Sequence, residues 1–336
     1  MTTERGRGAG RPTLEEVALR AGVGRGTVSR VVNGSAQVSP RAKQAVEDAI
    51  AELGYVPNRA ARTLVTQRTD SIALVVFESG ERFFAEPFFG RMVQSISSRL
   101  VARTLQMVLM IAQAPEERHR LEGYLTRQHV DGALLLSLHG DDPLPALLEE
   151  RGVATVRVGR PMYAERGTFV DADNRGGARE AVAYLRDQGR RCIAAITGAL
   201  DMAAGIARLD GYRDVVGDGP VAFGDFSEES GAAAMHRLLQ QYPEIDAVFA
   251  ASDNMASGAL RVLRQYGRRV PEDVALIGFD DSVIAMHTDP PLTSVDQPIA
   301  EMGREMVRLM LSKLDGDEQI EHEVVLPTRL VIRGSA

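Results

Sequence analysis

From Arg11 to Leu64 the apolar positions fall at helical spacing in three short stretches. Leu14, Val17 and Ala18 mark one face of the first. It is entered through Thr13, a capping residue with Glu16 three positions on to close a capping box. Gly22 breaks that helix, and Val28, Val31 and Val32 mark the inner side of a second. Ser39 followed by Pro40 opens a third, with Ala42, Val46, Ala49, Ile50 and Leu53 as its stripe and Gly54 as its end. Three short helices in this order predict a helix-turn-helix whose second helix, Arg25 to Val32, enters the DNA major groove. Its outward positions are Arg25, Gly26, Ser29 and Arg30, and Thr13, Thr27 and Asn33 complete the expected contacts. Arginine reads guanine through a bidentate bond, and a serine hydroxyl or a helix N-terminus holds a phosphate. On spacing alone, the alternative is a three-helix protein-binding module with a solvated charged face.

From Ser71 the texture changes. The apolar runs SIALVVF, LQMVLMIA, DGALLLS, VATVRV, CIAAIT, DAVFAAS and DVALIGF alternate with amphipathic stretches, and a second set begins near Val170. The stretches predict helices over Gly90–Val101, Glu116–Arg127, Pro145–Glu150, Gly176–Gln188, Ala207–Val215, Ser230–Gln240 and Met255–Tyr266. Continuous apolar strands between helices indicate parallel sheets covered on both faces. Two such sets predict an α/β body of two doubly wound lobes, with ligand bound between them at the carboxyl ends of strands.

The 336 residues are too many for one small core, so two or three domains are expected. The net charge of −7 hides an asymmetry: residues 1–68 carry 11 basic against 6 acidic side chains, and the remainder 28 against 40. A basic headpiece on an acidic body suits a protein that touches phosphate with one end only. Lys43 and Lys313 are the only lysines, a bias that fits a GC-rich coding genome. The single cysteine, Cys192, permits no disulfide within the chain, and MTTERGRGAGRP has no apolar core of a signal peptide. No run reaches transmembrane length. These features predict a cytoplasmic, nucleoid-associated protein with no membrane partner. Enzyme readings find little support. Ser252–Asp253–Asn254 echoes a β-lactamase motif without its companions, the six histidines show no metal-ligand spacing, and no phosphate-cradling glycine loop follows a strand. No catalytic residue, metal or cofactor is expected.

Residues at strand ends are the candidates for ligand binding: Ser137, Thr197, Ser252, Asp253, Asp280 and Asp281. Carboxylates, hydroxyls and arginine converging with aromatic rings suit a sugar, because polar groups bond its hydroxyls and rings cover its C–H faces. Each strand-end residue has an alternative role as a helix cap. Asp253 is read as holding the lobe, and Asp281 as capping the next turn. Phe83, Phe84, Phe88 and Phe89 follow the first strand as core or dimer interface, with Phe84 chosen as the ring that stacks on a sugar. Arg160 and Tyr163 lie in the loop after VATVRVG as further candidates.

The run GYVPNRAARTL resembles the hinge of the lactose-repressor/galactose-repressor family of bacterial transcription regulators, and AGVGRGTVSRVVNGSAQVS resembles that family's DNA-reading segment. The resemblance extends through nearly the whole chain. It implies that Asn58 begins a hinge helix with Arg59 beside it, that Ala61 faces the minor groove and that Leu64 is a wedge at the central base step. An apolar wedge kinks a duplex and widens its contact with the protein; an ordinary interdomain linker is the alternative. Gly24 stands where the family usually has Ser, and Gly26 where it has larger side chains, so the operator cannot be borrowed from a relative. The implied domains are a helix-turn-helix over 1–56 with a tail over 1–11, a hinge over 57–68, and an effector-binding and dimerisation body over 69–336. Within the body, lobe one takes about 70–168 and 297–330, including the helix Pro298–Leu314 and strands near Val324 and Leu330, and lobe two about 169–296.

ARLDGY, GFDD and AASDNM match the family's effector segments, which makes Arg208, Asp280 and Ser252 its expected contacts beside Ser137, Arg160 and Phe84. The shorter Ser252 departs from the Asn common there. FFAEPFF, HVDGALLLSLHGDDPLP, GDFSEESG and DPPLTSVDQP further resemble the cellobiose-responsive repressors of actinomycetes. The resemblance therefore implies a homodimer on pseudo-palindromic double-stranded operator DNA, released by a small sugar such as cellobiose or a cello-oligosaccharide. A ligand acting as corepressor and a sugar-binding transport protein with the same body are the alternatives.

Overall fold

The computed structural model describes residues 12–32, 37–56, 68–127, 129–162 and 167–336. The expected contacts Asn33, Asn58, Arg59, Ala61, Leu64 and Tyr163 lie outside the described residues. The chain divides into two compact units, Met1–Thr69 and Asp70–Ala336.

The first unit holds α1 (Leu14–Ala21), α2 (Arg25–Val32) and α3 (Pro40–Leu53), and α1 and α3 begin and end where their caps dictate. Thr13 and Glu16 form the reciprocal capping box, and Gly22 closes α1 at φ +65°, a left-handed conformation that a Cβ would strain. Ser39 accepts from the Ala42 amide, and Gly54 closes α3. Val17, Ala18, Val28, Val46, Ala49 and Tyr55 are the buried core of this unit.

The second unit holds two six-stranded sheets. The first runs β11-β5-β4-β3-β1-β2, all parallel, with β1 Ser71–Val76, β2 Gln106–Ile111, β3 Gly132–Leu136, β4 Ala154–Val158, β5 Phe169–Ala172 and β11 Glu323–Leu326. The second runs β12-β10-β9-β8-β6-β7, with β6 Ile193–Thr197, β7 Val221–Phe223, β8 Ala247–Ala250, β9 Ala275–Phe279, β10 Thr293–Asp296 and β12 Arg329–Val331. Only β12 is antiparallel to its neighbour.

Both faces of each sheet are covered, so β3, β8 and β9 are apolar at every position rather than alternating. Ile72, Leu74 and Val76 face a core shared with Met92, Ile96, Met306 and Met310 from the helices Pro87–Val101 and Ile299–Leu314. Ala73 and Val75 face the other side with Leu121, Leu125 and Leu148. In the second sheet Ile196 and Val248 pack on the helices Glu228–Gln241 and Asp253–Gln265, while Phe249 and Ile277 pack on Asn174–Asp187 and Ala203–Val216. Each such Val, Leu, Ile, Phe or Met side chain contributes about 1.5–3 kcal/mol through burial.

Two strands fall on the opposite side of the division from the expected one. β5 pairs with β4 and completes the first sheet, so lobe one runs through Ala172 rather than stopping at 168. β12 pairs with β10 in the second sheet, so the segment at Leu330 returns to lobe two. The chain therefore crosses between lobes three times: after Ala172, at Gln297 and between Leu326 and Arg329. The first and third crossings are laced together, with the Asp173 amide donating to Leu326 O at 2.8 Å and Thr328 Oγ1 to Asp173 O at 3.2 Å. Short helices over Gly80–Ala85 and Val283–His287 were not expected. Among the described residues no helix is long and apolar enough to cross a membrane.

Glycine sets the closest helix approach. A Cβ on Gly258 would run into the carbonyl oxygen of Glu228, and one on Gly231 into the backbone of Met255. Gly258→Val should therefore lower the stability of the body by about 1–3 kcal/mol or more, read as a reduced urea midpoint at unchanged slope. An unaltered midpoint would show that the two helices are not held by this contact.

Candidate functional site

α2 turns Arg25, Gly26 and Arg30 to solvent and Val28 to the core, with Thr27 and Ser29 half-buried at the flank. Arg25 Nη1 lies 3.1 Å from Glu15 Oε1. An exposed pair of this kind is worth at most about 1 kcal/mol and yields readily to a phosphate. The Thr13 hydroxyl is engaged in its cap, accepting from the Glu16 amide at 3.3 Å and donating to Glu16 Oε2 at 3.2 Å. A Cβ at Gly24 or Gly26 would meet nothing within 4 Å, so these positions leave the approach to α2 open.

The carboxyl ends of strands in both sheets face one cleft of about 1160 Å³, part of it open to solvent. Ser137, Ser252 and Asp280 line it from strand ends, Arg160 from a loop and Arg208 from a helix. At its base lies Arg208, only 4% exposed, on the helix Ala203–Val216. Its Nε donates to Asn174 Oδ1 at 2.8 Å, Nη1 to Ala251 O at 2.6 Å and Asp280 Oδ1 at 3.3 Å, and Nη2 to Gln297 Oε1 at 3.2 Å. The guanidinium lies 3.6 Å from the centre of the Phe279 ring. Asn174 and Gln297 stand at two of the three lobe crossings, so the buried cation is fastened to the hinge. Asn174 Nδ2 in turn donates to Asp171 Oδ1 at 2.9 Å, and Asp171 Oδ2 accepts from Arg160 Nε at 2.8 Å. A continuous chain of polar groups thus runs from the mouth of the cleft at Arg160 to its base.

The electrostatics follow from burial. Burial pushes the Asp280 carboxyl up to about 6 against the opposing pull of Arg208. Burial, then the charge of Asp280, raises Asp253 to about 7. Glu86, beside Arg82 at the mouth, is raised to about 7 by burial, with Arg82 opposing.

Several expected residues have other work. Ser252 is the N-cap of the helix Asp253–Gln265, with Oγ accepting from the Met255 amide at 3.2 Å. Ser137 donates to Glu78 Oε1 at 2.5 Å. Asp253 holds its lobe together, accepting from the Ser282 amide and from Ser294 Oγ, both at 2.6 Å. Asp281 does not cap the next turn: it pairs with Arg333 Nη2 at 2.6 Å, and Ser282 caps Val283–His287. Thr197 is buried at the end of β6 and does not line the cleft. Phe84 does not line it either. It is 81% exposed, because Phe83, one helical step of about 100° away, takes the inward position against Phe89. The rings that face the cleft are Phe88, Phe89 and Phe226.

Three comparisons place this architecture. Residues 13–58 match the model of bacterial regulatory proteins of the lacI family, and residues 182–336 match the periplasmic binding protein-like domain. The chain is 54% identical to the HTH-type transcriptional regulator CelR of Thermobifida fusca, over 97% of this chain and 98% of CelR. This chain belongs to the lacI family. A structure described as a transcriptional regulator CelR–cellobiose complex is 52% identical and superimposes with a TM-score of 0.77, covering 97% of this chain and 100% of that one. The lac repressor dimer bound to operator and the anti-inducer ONPF superimposes at 0.86 with 27% identity, covering 97% and 99% of the two chains. As a member of the lacI family, the protein is a DNA-binding transcriptional repressor.

Asn174 and Gln297 escaped sequence reasoning because the short, partly polar strands they follow, β5 and β10, were not among the expected apolar runs; the polar runs DADN and VDQP at the crossings are the signal that could have found them. Asn174→Ala would strand Arg208 Nε without its acceptor in a buried site. The variant is expected to lose about 1–3 kcal/mol of body stability in a urea titration. A loss within about 0.5 kcal/mol, the range of an ordinary surface substitution, would show that the arginine finds its partners elsewhere.

Proposed function

We propose that this repressor binds pseudo-palindromic operator DNA as a homodimer and releases it when cellobiose or a short cello-oligosaccharide occupies the cleft. The observation that carries the reading is the buried Arg208, flanked by Asp280, Asn174 and Asp171 and by the Phe226 ring, and fastened to the crossings between lobes. Carboxylate, amide and guanidinium groups bond hydroxyls while rings cover C–H faces, the combination a glucoside demands. One Nη2 hydrogen of Arg208 has no partner among the described residues, which leaves a donor for a ligand hydroxyl. The description of the CelR structure as a cellobiose complex, at 52% identity, supports this choice of sugar.

On this reading residues 1–56 form the DNA-binding domain, 57–68 the hinge and 69–336 the sensing body. Arg25 and Arg30 read base edges, Thr13, Thr27, Ser29, Asn33 and Arg59 hold the backbone, Gly26 admits close approach, and Asn58, Ala61 and Leu64 form the minor-groove element. Arg160, Arg208 and Asp280 contact the sugar directly. Ser137 and Ser252 shape the cleft wall, and Phe88, Phe89 or Phe226 takes the stacking role first given to Phe84. The protein works in the cytoplasm, at the nucleoid, and carries no catalytic site. Ligand closing the cleft shifts the hinge, and an allosteric coupling of about 1–3 kcal/mol suffices for release.

Calorimetry with cellobiose, with and without a twofold-symmetric operator, tests the reading. Cellobiose should bind more weakly in the presence of operator, because linkage is reciprocal; tighter binding on DNA would make the sugar a corepressor, and no binding would remove it as the effector. Arg208→Lys keeps the charge but not the planar fork. It should retain operator affinity while weakening cellobiose at least about tenfold (about 1.4 kcal/mol), and an unchanged sugar affinity would remove Arg208 from the site. Leu64→Ala should weaken specific operator binding more than binding to random duplex in an anisotropy titration. An equal loss on both duplexes would remove the wedge from the account.

A further inference from the structure

Glu78 stands just beyond β1, buried, and three side chains converge on it. Its Oε1 accepts from Ser137 Oγ at 2.5 Å and lies 3.2 Å from His139 Nε2, and its Oε2 is 3.4 Å from Arg82 Nη1. Two of these partners continue across the cleft to the other lobe. Arg82 Nη2 donates to Asp225 O at 2.6 Å, and His139 Nδ1 lies 2.9 Å from Asp201 Oδ2. The Gly140 amide joins the second arm by donating to Asp201 O at 2.7 Å. One buried carboxylate of lobe one thus aims both of the side chains that clasp lobe two at this edge.

The two arms differ in kind. Arg82 is charged at every pH of interest and is flanked by Glu78 and by Glu86, whose Oε1 accepts from Nε at 2.6 Å. His139 has a carboxylate at each ring nitrogen. A neutral imidazole carries one N–H, so one carboxylate must face a bare lone pair; only the imidazolium donates to both. The other charges around the ring are already engaged or stand further off: Arg82 beyond Glu78, Arg118 paired with Asp142, and Asp141 and Arg157 lining the recess beside Gly140. Hydrogen bonding to Glu78, against the opposing effect of burial, and then bonding to Asp201 hold the imidazole above its ordinary value. Glu78 is held below the usual carboxylate range: burial alone would raise it, but the bonds from His139 and Ser137 and the charge of Arg82 outweigh that.

We propose that Glu78 is a positioning residue for lobe closure, and that the imidazolium form of His139 bolts the closed lobes through Asp201, so that the sugar is bound more tightly in mildly acidic than in mildly alkaline solution. The sign follows from linkage. Opening separates His139 from Asp201 and lowers its proton affinity, so the closed state takes up protons; closure is strongest below the open-state pKa and weakens as pH rises through the closed-state one. The effect on sugar affinity rests on the cellobiose reading above, whereas the bolt itself does not.

Two measurements on the full-length protein separate these. The first follows the ring protons of the histidines by NMR without ligand, since the His139–Asp201 contact forms without one, with His139 assigned by its absence in His139→Gln. Its pKa should exceed the ordinary value of about 6.5 and should fall in Asp201→Asn, an exposed and structurally mild change, and in Glu78→Gln. An ordinary or lowered value, or no response to Asp201→Asn, overturns the proposal whatever the sugar does. The second titrates cellobiose calorimetrically between pH 6 and 8.5. Wild type should lose affinity by at least about fivefold across that range, the lower end of a typical coupling, while His139→Gln binds with a flat profile. A slope that survives in His139→Gln overturns the bolt. Absence of cellobiose binding at every pH counts against the choice of sugar alone, and the proposal then stands or falls on the NMR result.

Discussion

The burial of one guanidinium governs how the rest of the sensing unit is arranged. An unpaired charge in a protein interior costs several kcal/mol, and the attraction of a single carboxylate seldom offsets it. Arg208 is supported instead by a carboxylate, two side-chain amides, a backbone carbonyl and an aromatic face. Those supports come from β9, from the end of β8 and from two lobe crossings, so satisfying the charge fixes the angle between lobes at the same time. A polar ligand that competes for any one of these groups alters the balance at the hinge directly, without a relay through the apolar cores.

The cores themselves are stiff by comparison. Strands such as β3, β8 and β9 are apolar on both sides, and glycines such as Gly211, Gly231 and Gly258 bring paired helices into backbone contact. Interiors packed this way move as units rather than deform. Motion is therefore concentrated where the polar groups are: at the three crossings and across the cleft, where Arg82, Arg91, His139 and Gly140 reach from one lobe to the other. The division of labour is between apolar layers that hold each lobe and a sparse set of hydrogen bonds that decides how the lobes meet.

What could be read from the sequence follows the range of the interaction involved. The helix-turn-helix was legible to the residue, because capping boxes, proline at the first helical position and a closing glycine act within one turn. The existence of two doubly wound sheets was legible from apolar runs. The sheet to which β5 and β12 belong was not, because pairing in a parallel sheet joins distant segments and an apolar run carries no label for its neighbour. Arg208 and Asp280 were found through their motifs, and the structure brings them within 3.3 Å. Phe84 was misplaced because adjacent aromatics on a two-turn helix point about 100° apart and composition does not say which of them faces inward. Asn174 and Gln297 carried only the polar runs DADN and VDQP as a signal, and Glu78 and His139 act through cross-lobe geometry that no local pattern encodes.

The three crossings also bear on how the chain is made. The first sheet lacks its β11 edge until residue 326 has emerged, and the second lacks β12 and the buried Ser335, whose hydroxyl donates to Leu276 O and accepts from the Thr293 amide. The core of the first three helices, by contrast, is complete once Tyr55 is in place. During synthesis the three-helix unit is therefore complete long before either lobe, and a ribosome stalling ahead of residue 326 would yield that unit attached to two unfinished sheets.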